Sequence, residues 1–254
     1  MLISTQAAIG CTLDNEETQV GAVRDLFFDD RWWVVRYLVV ETGGWLHGRR
    51  VLLPPAVVQH LDWPGRRLRV RLTCDQIEDS PQVDTDKPVS RQEMLKLENY
   101  PAWAPVAWTP EGVVVPPITG ATGAPSSEME EDTQGDSHLR SVKEVTGYHI
   151  SALDGEIGHV DELILDDRER QHGPWELRYL VVDTRNWLPG RKVLVAPIWA
   201  QAVTWEDRRV LVGLTREQIE GSPEFHPSVP VNRRYEETLY DYYGRPKYWV
   251  GQEG

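Results

Sequence analysis

Apolar and polar residues alternate with a period of two along much of this chain, the spacing of a strand with one face in a core and the other in water. Leu68-Arg69-Val70-Arg71-Leu72 is the clearest case, and Val210, Val212 and Leu214 mark the same inward set further on. Trp175, Leu177, Tyr179 and Val181 form a second alternating set. Leu180 and Val182 make the end of that strand apolar on both sides, as in a small closed barrel. Asp154-Gly155, between His149-Ile150 and Ile157-Gly158, predicts a hairpin turn, and Asn186 to Gly190 predicts another.

The pattern occurs twice. Arg36-Tyr37-Leu38-Val39-Val40-Glu41-Thr42 returns 142 residues later as Arg178-Tyr179-Leu180-Val181-Val182-Asp183-Thr184, and 25 of the 46 positions from Arg36 to Pro81 are identical at that offset. Upstream the offset falls to 137, pairing Gly21 with Gly158 and Asp29-Asp30 with Asp166-Asp167. Five residues are therefore inserted near Glu169 to Pro174, which marks a hairpin tip. A duplication at this level organises the whole fold.

Each copy continues into Thr-x-x-Gln-Ile-Glu-x-Ser-Pro, ending at Pro81 and Pro223, a polar helical turn that proline stops. A short helix follows. Ser90-Arg91-Gln92-Glu93 has the form of a capping box, and Asn232 caps Arg233 to Tyr243. Tyr235, Leu239 and Tyr242 lie on one face of that helix, and the aromatic tails Pro101-Ala102-Trp103 and Pro246 to Trp249 are expected to fold back on their own copies. Between the copies, residues 104–137 are rich in Pro, Gly, Ser and Thr and carry Glu128, Glu130, Glu131 and Asp132, the composition of a solvated flexible linker. The expected organisation is thus a first repeat at 1–103, a linker at 104–137 and a second repeat at 138–254, in a mainly β fold.

Composition narrows the function. With 254 residues the chain holds about 1.7 domains' worth at ~150 residues per domain, enough for two modest cores. The 27 Lys and Arg against 40 Asp and Glu give a net charge of −13, which repels a phosphate backbone, so no nucleic-acid partner is expected. Arg49-Arg50, Arg66-Arg67, Arg208-Arg209 and Arg233-Arg234 are short runs that read as scattered surface charge. Met1 to Gly21 holds no Lys or Arg and no apolar leader core, and no uncharged apolar run reaches ~18 residues; a soluble, cytoplasmic protein is expected.

Candidate chemistry is sparse. Cys11 and Cys74 correspond to Tyr148 and Arg216 in the second copy, so neither thiol is required by the fold. His47, His60, His138, His149, His159, His172 and His226 lack His-x-x-x-His or paired-cysteine spacing, and no metal or cofactor is expected. Asp29-Asp30 and Asp166-Asp167 read as exposed turn residues at hairpin tips rather than as a general acid and base. No phosphate-cradling glycine loop and no Gly-x-Ser-x-Gly elbow occurs.

Gly-x-Val-x-(Asp/Glu)-Leu with Asp-Asp, then Arg-Tyr-Leu-Val-Val-(Glu/Asp)-Thr, then Trp-Leu-x-Gly-Arg-(Arg/Lys)-Val-Leu and a proline, resembles the PRC-barrel domain, at Gly21 to Pro55 and again at Gly158 to Pro197. The resemblance covers both copies with their tails. The family includes the cytoplasmic domain of the photosynthetic reaction-centre H subunit and the C-terminal domain of a ribosome maturation factor; the chain is most similar to stand-alone tandem PRC-barrel proteins of bacteria. It implies two tandem small, strongly bent β-barrels, each followed by a short helix and aromatic tail, serving as an adaptor for other proteins without catalytic apparatus.

The paired residues Trp45 with Arg49 and Trp187 with Arg191 form the candidate interaction surface, an indole beside a guanidinium. Against this stands a structural role, the indole plugging a barrel end and the guanidinium holding a carboxylate such as Glu41 or Asp183. A non-enzymatic adaptor for an unidentified protein partner is expected, as an intramolecular pseudo-dimer or a homo-oligomer. The alternatives are a sensor of a small ligand or ion, a reaction-centre-associated factor similar to the H subunit, and an enzyme using Cys11 or His60.

Overall fold

Strand periodicity becomes one large sheet. The structure, a computed structural model, describes residues 1–46, 48–80, 107–108, 114–115, 138–167, 175–184 and 191–250. The first half contributes β1 (Leu2–Ser4), β2 (Thr12–Asp14), β3 (Gln19–Asp29), β4 (Val34–Thr42), β5 (Arg50–Leu53), β6 (Val58–Asp62) and β7 (Arg67–Val70). After β8 (Ala107–Trp108) and β9 (Val114–Val115), which pair with each other, the second half contributes β10 (Leu139–Ser141), β11 (His149–Ala152), β12 (Gly155–Asp166), β13 (Glu176–Asp183), β14 (Lys192–Val195), β15 (Ala200–Thr204) and β16 (Arg209–Val212). The two sets match strand for strand.

Alternation predicted the faces well. Leu68, Val70 and Leu72 are buried while Arg69 and Arg71 are exposed, and Val210, Val212 and Leu214 are buried in the second half. Tyr179, Leu180, Val181 and Val182 are all fully buried, so β13 is covered on both faces. Each such Leu, Ile or Val contributes about 1.5–3 kcal/mol of transfer free energy. The Asp154-Gly155 turn joins β11 to β12 with Ala152 opposite Gly155, whose φ of 139° suits glycine alone. Thr73 and Thr215 close capping boxes with Gln76 and Gln218 on the short helices Cys74–Glu78 and Arg216–Glu220.

The closed barrels expected from the sequence are not formed. In each half the ladder runs through six strands, β6-β7-β2-β3-β4-β5 in the first, and no ladder joins β5 to β6 among the described residues. Pro54-Pro55 between those strands removes two ladder donors and starts the 3-10 turn Pro55–Val57, so β6 swings away to pair with β7. Between β14 and β15 a single proline, Pro197, removes one donor and starts the equivalent 3-10 turn Pro197–Trp199. The two halves instead join in a single 14-stranded sheet.

Among the described residues, three strand pairings make that seam. At its centre Val34 of β4 pairs with Glu176 of β13, with Val35 N donating to Trp175 O at 2.8 Å and Leu177 N to Trp33 O at 2.7 Å. On either side the halves exchange their first strands. β1 adds to β12, Leu2 opposite Asp166 and Ser4 opposite Ile164, while β10 adds to β3, Leu139 opposite Asp29 and Ser141 opposite Phe27. Ser141 Oγ donates to Asp25 Oδ2 at 2.5 Å, and in the equivalent place Ser4 Oγ donates to Glu162. Burial pushes the Asp25 carboxyl above its usual range, against the pull of that hydroxyl and of the Leu26 and Lys143 amides.

The aspartate pairs anchor this seam and are not exposed turn residues. Asp29, Asp166 and Asp167 are buried and Asp30 is half-buried. Asp30 meets His138 Nδ1 at 2.8 Å and Arg140 Nε at 2.9 Å, both from the second half. Asp167 accepts from Trp63 Nε1 at 2.6 Å and from the Met1 nitrogen, both from the first half. Asp29 and Asp166 take Arg36 and Arg178 of their own hairpins at 3.3 and 3.1 Å. The partners of Asp30 and Asp167 come across from the other half, which hairpin position alone does not reveal.

The C-terminal helix Arg233–Tyr243 covers the second half. Its buried stripe is Glu236, Leu239, Tyr240 and Tyr243, whereas Tyr242 of the expected face is exposed. Glu236 accepts from Tyr179 Oη at 2.8 Å and Tyr248 Oη at 2.7 Å, and pairs with Arg233 at 3.2 Å. Trp249 lies edge-on to Tyr240 with Arg233 4.0 Å over its ring, so the aromatic tail does fold back. The capping box at Ser90 and the tail at Pro101 to Trp103 lie outside the described residues, as does most of 104–137.

Candidate functional site

The hairpins β4–β5 and β13–β14 carry the candidate residues at their open ends. Thr42 clamps the first by donating from N and Oγ1 to Arg49 O at 2.8 and 3.0 Å; Thr184 does the same to Arg191 O at 3.1 and 3.0 Å. Arg191 is half-buried and donates from its guanidinium to Ser222 O at 2.5 Å, tying the hairpin to the end of the Arg216–Glu220 helix. The carboxylate considered for Arg49, Glu41, is held by Arg24 and Arg50. Trp45 stands in the 3-10 turn Gly44–Leu46, with its side chain outside the described residues, and Trp187 lies wholly outside them.

Beside these hairpin ends each half has a bulged β strand and a close-packed glycine. A Cβ on Gly21 would stand 2.1 Å from Glu41 O, and one on Gly158 2.1 Å from Asp183 O, which accounts for glycine at both positions. The ladder register shifts between Val23 and Asp25, and equally between Val160 and Glu162. The extra residues are Arg24 and Asp161, and a bulge re-aims the side chain it carries.

The two halves put opposite chemistry on this shared frame. In the first, Arg24 forks onto Glu41 at 3.1 and 3.3 Å, with Arg50 adding a longer contact at 3.9 Å. In the second, Asp161 replaces Arg24, Asp183 replaces Glu41, Lys192 replaces Arg50 and His159 replaces Ala22. His159 and Asp183 are directly opposed in the β12–β13 ladder. One ligand atom from each of His159, Asp161 and Asp183 lies within 4.8 Å of the others. Asp183 is fully buried, His159 and Asp161 are half-buried, and Lys192 Nζ donates to Asp161 Oδ2 at 2.6 Å.

Sequence reasoning missed this cluster because His159 and Asp183 meet only through strand register. The alternation His159-x-Asp161 on a strand, opposite an acidic residue of the returning strand, is the signal that could have found it. His138 goes to the seam and His60 to an open groove along β6, beside Trp63, Asp167 and Trp175, while the exposed His149 stands opposite His159 in the β11–β12 ladder.

The local pattern that carries Gly21, the Arg24 bulge and the Thr42 clamp coincides with a known family. A family model of the PRC-barrel domain matches residues 9–76. Residues 9–76 are a PRC-barrel domain. The match spans β2 to β7 and ends inside the short helix Cys74–Glu78, leaving the exchanged strand β1 outside it. No curated protein matches the chain. Among the described residues no helix is long and apolar enough to cross a membrane.

Proposed function

We propose that the chain is a non-enzymatic adaptor in which two PRC-barrel units in tandem offer one joint surface to a protein partner. The reading rests on the reciprocal exchange of β1 and β10, which makes the relative placement of the halves a property of the sheet. A platform of fixed shape loses little freedom on binding. Trp32 and Trp205, 56% and 50% exposed, stand on tight turns of that platform. Trp33 and Arg208 hold φ of 55° and 51° in the turns of Trp32 and Trp205, so these turns have one defined geometry. Exposed indoles on rigid turns are the anchors that dominate interface energies. Burial pushes the Cys11 thiol up, the opposite of what a nucleophile needs, and its hydrogen goes to Ala7 O at 3.0 Å.

An affinity capture from the protein's own cell lysate, at low and high salt, tests the proposal. A stoichiometric protein partner is expected with the wild type and is lost with the Trp32→Ala, Trp205→Ala double variant at unchanged melting temperature. An empty capture by the wild type at both salts contradicts it.

A further inference from the structure

The second half replaces an ion pair with a cluster of one histidine and two aspartates on the same backbone. We propose that His159, Asp161 and Asp183 bind one divalent transition-metal ion of the Zn²⁺ and Co²⁺ class. The inference is independent of the adaptor reading.

Three ligand atoms within 4.8 Å of one another are close to a coordination shell. An ion with bonds of about 2.0–2.2 Å holds its ligand atoms roughly 3–4 Å apart, so side-chain rotations of about 1 Å close the set. The backbone is already in place. His159 and Asp183 face each other across the ladder, and the bulge at Asp161 turns a third ligand to them from the same strand. Gly158, at φ 123° with its α-carbon against the Asp183 carbonyl, fixes the approach of β12 to β13 just before His159. Ligands on paired strands keep their geometry better than ligands on loops.

The first half is the internal control. There the bulged residue is a guanidinium that closes Glu41 by a two-pronged contact, so the carboxylate already has its cation. In the second half the bulged residue is itself a carboxylate. With neutral histidine the set Arg24, Glu41 and Arg50 sums to +1, whereas Asp161, Asp183 and Lys192 sum to −1. Only the second half adds an imidazole, at the position of Ala22. One imidazole with two carboxylates favours borderline ions over Ca²⁺, which takes six to eight oxygen ligands. Two half-buried ligands beside a buried one leave coordination positions toward solvent for water.

Lys192 is the competitor. Its ammonium holds Asp161 Oδ2 at 2.6 Å, and an incoming ion must share that carboxylate or displace the lysine. At 23% exposure the ammonium has a route outward. Removing its charge should therefore tighten binding, a response that a purely structural Lys192–Asp161 pair would not give.

The full chain, stripped with a chelator, is titrated with ZnCl₂ by calorimetry and melted with and without the metal. One Zn²⁺ per chain is expected, raising the melting temperature by roughly 5–10 °C at 100 times the dissociation constant. His159→Ala should weaken binding at least tenfold with the metal-free melting temperature unchanged. Lys192→Gln should tighten it several-fold, and Glu41→Gln in the first half should leave it as in the wild type. Absence of saturable binding, or binding that His159→Ala and Asp161→Asn both leave intact, overturns the proposal.

Discussion

Gly158→Ala should destabilise the protein by about 2–6 kcal/mol, and more than Gly21→Ala does. At both positions a Cβ would lie 2.1 Å from a backbone carbonyl oxygen of the next strand, Asp183 O or Glu41 O. Neither carbonyl can rotate away, because each belongs to a strand paired on both sides, β13 with β12 and β14, β4 with β3 and β5. Relief requires separating two strands of the core, an overpacking cost of about 1–3 kcal/mol. Gly158 alone also holds a φ of 123°, which adds backbone strain of about 1–3 kcal/mol for any residue with a side chain. Urea denaturation of the two variants measures both numbers. Equal losses would mean that the left-handed backbone of Gly158 contributes nothing.

Glu236→Leu is the second large effect, expected at about 3–5 kcal/mol, the cost of removing one partner from a buried charged network. The Glu236 carboxylate is 1% exposed and accepts from two phenols, Tyr179 of β13 and Tyr248 of the tail, while Arg233 supplies its counter-charge. It is the point at which strand, helix and tail meet. Leucine leaves the fully buried Tyr179 hydroxyl without this acceptor and Arg233 without this carboxylate. Burial together with the Glu236 charge pushes the Tyr179 phenol far above its usual range, so it stays a donor at every working pH. Tyr179→Phe should cost less alone, and combining it with Glu236→Leu should cost less than the sum, because the second change removes a donor already stranded. Strict additivity in the four denaturation curves would show that the two groups do not act together.

The strands were legible because their physics is local. Leu68, Val70 and Leu72 point inward and Arg69 and Arg71 outward as a period of two requires, and Leu180 with Val182 announced a strand buried on both faces. The duplication supplied the counterpart of each strand. What sequence could not supply was partnership across the halves. β1 and β10 are three residues each, too short for a period, and their place is decided by which half's edge they meet. The aspartate pairs looked like exposed turn residues for the same reason: their partners Trp63, His138 and Arg140 lie more than 100 residues away. Barrel closure failed at Pro54-Pro55 and Pro197, where a proline already visible in the sequence sends the next strand elsewhere. The aromatic face of the last helix was displaced by one residue, because Glu236 takes an inward position that hydrophobicity assigns to the outside.

The two halves differ chemically on one backbone frame. Twin positions share their backbone, seen in the paired bulges and paired glycines, and differ in charge at Arg24 against Asp161. Duplication thus keeps the frame while leaving one copy able to acquire a ligand set and the other to retain an ion pair.

The halves form one body through exchanged strands, the platform on which the proposed adaptor role rests. A protease recognition sequence placed between residues 120 and 130 of the full chain, followed by cleavage and size-exclusion chromatography at low micromolar concentration, tests it most directly. Both fragments should elute together at the size of the intact 29.1 kDa chain and melt in a single transition. Separation into two independently folded fragments would contradict it.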